Sequence, residues 1–117
     1  MVAAQLTKNG ETLFRETQYN TFFRSSVLAV QRAEYEFNRM YALGEGDASL
    51  ALFFKLLEIK PPNDALTIGW DPDYMMDEWE CWWIDFMHRP QFTDDGIPYI
   101  EISYPIPPVS LFYERSY

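Results

Sequence analysis

Along "TFFRSSVLAVQRAEYEFNRMYAL", residues 21–43, Phe23, Val27, Val30, Phe37 and Tyr41 recur at steps of three, four or seven, while Arg24, Arg32, Glu36 and Arg39 fall elsewhere around the wheel. That period predicts a first helix, ended by Gly44. A second helix is predicted from Ala48 to Glu58. Asp47 caps it, Leu50, Phe53, Phe54 and Leu57 form its apolar stripe, and Pro61–Pro62 stop it.

The next segment, "DPDYMMDEWECWWIDFMHRP" at residues 71–90, opens on Asp71–Pro72, an N-cap followed by proline where its missing N–H costs nothing. At about 100° per residue, Met75, Met76, Trp79, Trp82, Trp83, Phe86 and Met87 share an arc of about 120°. Asp77, Glu78, Cys81, Asp85 and His88 lie opposite, so the pattern predicts an amphipathic third helix. The second half carries a competing strand signal, because "CWWIDF" is rich in strand-favouring residues and the turn signal "TDDG" follows. Beyond it, "IPYIEISYPI" alternates Ile100, Ile102 and Tyr104 with Glu101 and Ser103, the period of a half-buried strand. The end, "PIPPVSLFYERSY", is proline-punctuated and extended, which predicts a small sheet whose last strand is an edge. The expected fold class is α+β, a single small domain over 1–117, mostly helical with about three helices and a small antiparallel sheet near the C-terminus.

Composition agrees with a packed globule: the 117 residues are 48% hydrophobic and 18% aromatic. Cys81 is the single cysteine, which precludes an internal disulfide and fits a reducing, cytoplasmic setting. "MVAAQLTKNGETLF" has no basic n-region ahead of a long apolar run, and no run of 18 apolar residues occurs, so neither a signal peptide nor a membrane span is expected.

Charge changes the picture more. The formal net charge is −9. Residues 1–60 hold seven acidic and seven basic side chains, whereas residues 61–114 hold eleven acids and the one base Arg89, a net of −10. Such a field repels nucleic acid and anionic membrane and steers the chain toward a basic partner.

Three groupings are candidates for chemistry. The Trp/Met face is large enough, at about 600–1,000 Å² for three Trp and one Phe, that something must cover it. The protein's own core is the preferred cover, with Trp82 or Trp83 as partner anchors in the functional reading. The acidic face gathers Asp73, Asp77, Glu78, Glu80 and Asp85 without a neighbouring lysine. A solvated helix surface accounts for that simply, yet such spaced carboxylates also suit a groove built for phosphates. Asp77, Cys81, Asp85 and His88 follow helical spacings that pair potential metal ligands, but reliable zinc signatures use clustered His or Cys, and no metal or other cofactor is expected. "DPDYMMDE" opens as a calcium loop does but lacks the glycine and the terminal glutamate that loop needs.

Catalytic handles are sparse. His88 is the only histidine and sits about 10 Å along a helix from Cys81, too far for a dyad. Phosphate-binding glycine loops and the nucleophile-elbow motif are missing from the sequence. The P-x-x-P spacing of Pro105 and Pro108 reads first as a rigid tail and second as a polyproline ligand. The expectation is therefore a binding protein, not an enzyme: an acidic interaction or inhibitor domain whose 71–101 surface engages a basic protein, with a nucleic-acid-binding enzyme as one such partner. Compact acidic proteins encoded by phages block nucleic-acid enzymes in this manner. A homo-oligomeric assembly subunit using the Trp/Met face is the alternative, and a carboxylate-based enzyme the third reading.

Overall fold

The computed structural model describes residues 11–80 and 83–110, so Cys81, Trp82 and the tail from 111 onward lie outside the described residues. Strands β1 (Thr12–Glu16) and β2 (Thr21–Ser25) form a hairpin, followed by helices α1 (Val27–Ala42) and α2 (Leu50–Leu56). A 3-10 turn at Ala65–Thr67 leads into β3 (Ile68–Gly69), then α3 (Pro72–Trp79), β4 (Met87–Phe92), β5 (Pro98–Ser103) and β6 (Val109–Ser110). The main sheet has four strands in the order β2-β1-β5-β4, and β3 pairs with β6 in a separate ribbon.

This corrects the expected fold. The domain is α+β but not mostly helical, with 27% strand against 34% helix among the described residues. Its sheet is neither wholly antiparallel nor confined to the C-terminal end. β1 and β5 run parallel, with Phe14 opposite Ile100 and Glu16 opposite Ile102, so the first hairpin and the β4–β5 hairpin share one sheet. The run read as helix from residue 21 begins as β2, where Phe23 faces Phe14 across the ladder and stacks on it at 5.6 Å. Strand pairing outcompetes the helical period there, because aromatic residues favour pleated surfaces. Ser26 then caps α1 by accepting from the Ala29 N–H.

Smaller corrections follow from the caps. Ser49, not Asp47, caps α2, and Asp47 instead accepts from the Ser49 amide and hydroxyl. α3 starts as expected at Asp71–Pro72, yet it ends at Trp79 because Glu80 turns left-handed at φ 50°. The apolar arc therefore never runs to Met87. Met75 is buried, and Phe86 packs on the core from an irregular segment, while Trp79, Trp83 and Met87 are exposed. The core tryptophan is Trp70: fully buried, it meets Phe37 and Tyr104 edge-on and donates its indole N–H to the Ile106 carbonyl. That bond and the burial of Ile106 dock the proline segment against the core.

Phe37 is the hub of this core, with Phe53, Trp70 and Phe86 all edge-on within 6.0 Å, and Phe53 and Phe86 stacked at 4.6 Å. Glycine is required at Gly69, where an added Cβ would lie 2.2 Å from the Ala48 carbonyl. The close approach lets the same carbonyl accept from the Trp70 N–H. β5 is the predicted strand, now central, and Gly96 at φ 84° completes the "TDDG" turn before it. Among the described residues no helix is long and apolar enough to cross a membrane.

The burial pattern puts Trp79, expected in the core, at the surface, and places Trp70 inside. Trp70→Ala should cost about 3–5 kcal/mol in chemical denaturation, whereas Trp79→Ala, at 47% exposure, should cost less than about 1 kcal/mol. Equal losses would contradict this core.

Candidate functional site: a cleft between α1 and residues 83–86

Two polar residues, Glu34 and Asn38, occupy the buried stripe of α1 among Val30, Ala33, Phe37 and Tyr41. Asn38 is there because residues 83–86 have no ladder of their own and take partners from it, while Glu34 reaches His88 on β4. The Asn38 side-chain amide donates to the Ile84 carbonyl at 2.8 Å, and its oxygen accepts from the Ile84 N–H at 2.6 Å. This is the pairing an adjacent strand would have offered, supplied by one side chain. Ile84 is consequently buried, Phe86 turns inward, and Trp83 turns out beside Tyr35 with ring centroids 6.1 Å apart.

The result is a cleft of about 250 Å³, walled by Gln31, Glu34, Tyr35 and Asn38 from α1 and by residues 83–86. Tyr35 is 57% and Trp83 41% exposed, so solvent reaches part of each side chain. Glu34 is only 8% exposed, and its Oε2 lies 2.6 Å from His88 Nε2 on β4. That hydrogen bond raises the His88 pKa above its ordinary value; burial opposes the shift and the Glu34 charge adds to it.

A second buried carboxylate, Glu16, holds the far end of the sheet together. It accepts from the amides of Gln18 and Tyr19 in the β1–β2 turn and from the Tyr104 hydroxyl beyond β5. Burial, the charge of Glu16 and that bond push the Tyr104 hydroxyl well above its usual pKa. Glu16 is fully buried with both oxygens engaged, which fits a structural clasp.

The residues expected to bind a partner are placed as follows. Asp73, Asp77, Glu78 and Glu80 are exposed on α3 and its C-cap, and Asp85 and Trp83 are exposed on the cleft. Trp82 is outside the described residues. Glu80 and Trp83 are three residues apart, so at most about 11 Å separates the end of the acidic helix from the cleft. None of the five carboxylates forms an ion pair among the described residues. The spacing of Asp77, Asp85 and His88 loses its helical basis, since α3 stops before the last two. Among the described residues no group of three or more potential ligands is placed to hold a metal. Sequence reasoning missed Glu34, Tyr35 and Asn38. The available signal was a pair of polar side chains four apart inside an apolar stripe, Glu34 following Val30 by four.

The fold and site define a small α+β domain with an acidic, aromatic-rimmed cleft. The chain belongs to the family described as a family of unknown function (DUF6353), whose model matches residues 2–113. Comparison with curated proteins and with solved structures gave no match.

The His88–Glu34 pair has a pH signature. Because the folded pKa lies above the unfolded one, the stability it contributes is full below the unfolded value of about 6.5 and is lost as pH rises through the raised folded value. His88 is the sole histidine. The denaturation midpoint should therefore fall across that window in the wild type and stay flatter in His88→Gln; parallel profiles would contradict the pairing.

Proposed function

We propose that the protein is an acidic interaction domain that works by binding, in the cytoplasm, to a basic surface of another protein. What carries this reading is one conjunction: five exposed carboxylates without ion pairs among the described residues, continuous in the chain with two half-exposed tryptophans, Trp79 and Trp83. Unneutralised carboxylates raise the self-repulsion of the folded chain, and an oppositely charged partner relieves it. Exposed Trp beside a charged rim is the usual make-up of an interface anchor.

The partner class is a basic protein such as a nucleic-acid-binding enzyme, with Asp73, Asp77, Glu78, Glu80 and Asp85 standing where phosphates would. An inhibitor of such an enzyme, encoded by a phage or another mobile element, is the most concrete form of the proposal. Direct binding of nucleic acid or membrane is no part of it, since the net charge of −9 repels both, and it invokes no cofactor and no catalysis. The exposure of Trp79, Trp83 and Met87 also favours a second reading, a homo-oligomeric assembly subunit. Light scattering separates the two, because only the second requires a mass that grows with concentration.

The test removes charge without changing shape: Asp77→Asn, Glu78→Gln, Glu80→Gln and Asp85→Asn together. With the partner recovered by in-cell cross-linking, association should slow by about tenfold at low salt, and the difference should fade once the Debye length drops below about 8 Å. An unchanged rate and salt dependence would leave the acidic face as a solvated surface only.

A further inference from the structure

We propose that the cleft between α1 and residues 83–86 is a receptor for one arginine side chain of the partner, an inference that rests on the basic-partner reading and gives that partner a chemical group. The cleft holds about 250 Å³. A single helical turn, about 10 Å across and 5.4 Å long, fills more than about 400 Å³. The space is of the size that one long side chain occupies.

Its walls select the chemistry. Glu34 lines the cleft with a carboxylate whose side chain is 10% exposed; Oε2 is engaged by His88, and Oε1 makes no hydrogen bond among the described residues. Oε1 keeps contact with solvent, so a cationic donor entering the cleft can reach it and pair with its charge. Asp85 adds a second, exposed carboxylate at the rim. Tyr35 and Trp83 supply ring faces at an interplanar angle of 59°, forming a corner rather than a stack. A cation resting on either face is attracted by the ring quadrupole.

Arginine fits this set better than lysine does. The guanidinium is planar, weakly hydrated and forked, so it lies on an aromatic face while its N–H groups reach a carboxylate. An ammonium is a compact, strongly hydrated charge that gives up more on entering. The receptor is also preformed, since Asn38 fixes Ile84 and the His88 contact fixes Glu34, which lowers the ordering cost of binding.

The experiment titrates the whole protein with capped Gly-Arg-Gly and capped Gly-Lys-Gly peptides and follows it by NMR. With the arginine peptide, the Trp83 indole signal, the Tyr35 ring and the amides of residues 84–86 should shift saturably, and the lysine peptide should bind several-fold more weakly. Tyr35→Ala should weaken the arginine peptide by about fivefold, with an unchanged melting temperature because the side chain is exposed. Glu34→Gln should weaken it by about tenfold or more. Absence of saturable shifts at residues 83–86, or equal responses to the two peptides, would overturn the receptor. Shifts confined to α3 would also overturn it while leaving the basic-partner reading intact, whereas an unchanged on-rate in the four-amide variant would remove that reading itself.

Discussion

The side chain of Asn38 bonds both backbone groups of Ile84, forty-six positions away in the chain, and the arrangement of the candidate site depends on it. Residues 83–86 form neither helix nor strand, so their buried peptide groups need partners from elsewhere. One amide provides them. With Ile84 fixed, Phe86 falls into the aromatic cluster around Phe37, Trp83 is turned out next to Tyr35, and the chain enters β4 where His88 meets Glu34. The cleft is the space left between these consequences.

Glu16 plays the corresponding role at the other end of the sheet. It closes the β1–β2 turn and receives the Tyr104 hydroxyl from beyond β5, so the N-terminal and C-terminal hairpins are joined by a polar contact as well as by the parallel β1–β5 ladder. Hydrogen bonds to charged groups contribute about 1.5–3 kcal/mol each, and losing one partner of a buried pair costs more than the pair is worth. Asn38, Glu34 and Glu16 therefore act as registration points that specify which hairpin packs where. The aromatic cluster supplies the bulk of the burial.

Much of this was legible in the sequence wherever the signal was local. The stripe of α1 from Val30 to Tyr41, the stripe of α2, the Asp71–Pro72 start of α3, the "TDDG" turn and the strand β5 are all found where the patterns put them. The losses came from non-local or unmarked events. Residues 21–25 continue the helical period of α1, yet their pairing with residues 12–16 makes them a strand, and the parallel partner of β1 lies more than eighty residues on. Nothing at Glu80 announces a helix end, because glycine is the usual left-handed residue and a glutamate stands there. That one turn ends the helix before Trp83, which is exposed as Trp79 is, while Trp70, two residues before the helix, took the core position. The acidic surface was readable from charge alone; the cleft was not, because Tyr35 looked like any exposed helical residue until Trp83 was placed beside it.

Asn38 holds residues 83–86 on α1, and amide hydrogen exchange at Ile84 reports on that hold. Protection follows the free energy of the opening that exposes the N–H. The Ile84 amide should exchange on the slow scale of the α1 core, and in Asn38→Ala it should accelerate by about tenfold or more while the α1 amides remain protected. An Ile84 amide that exchanges in the wild type as fast as those of the exposed β4–β5 turn would contradict the account.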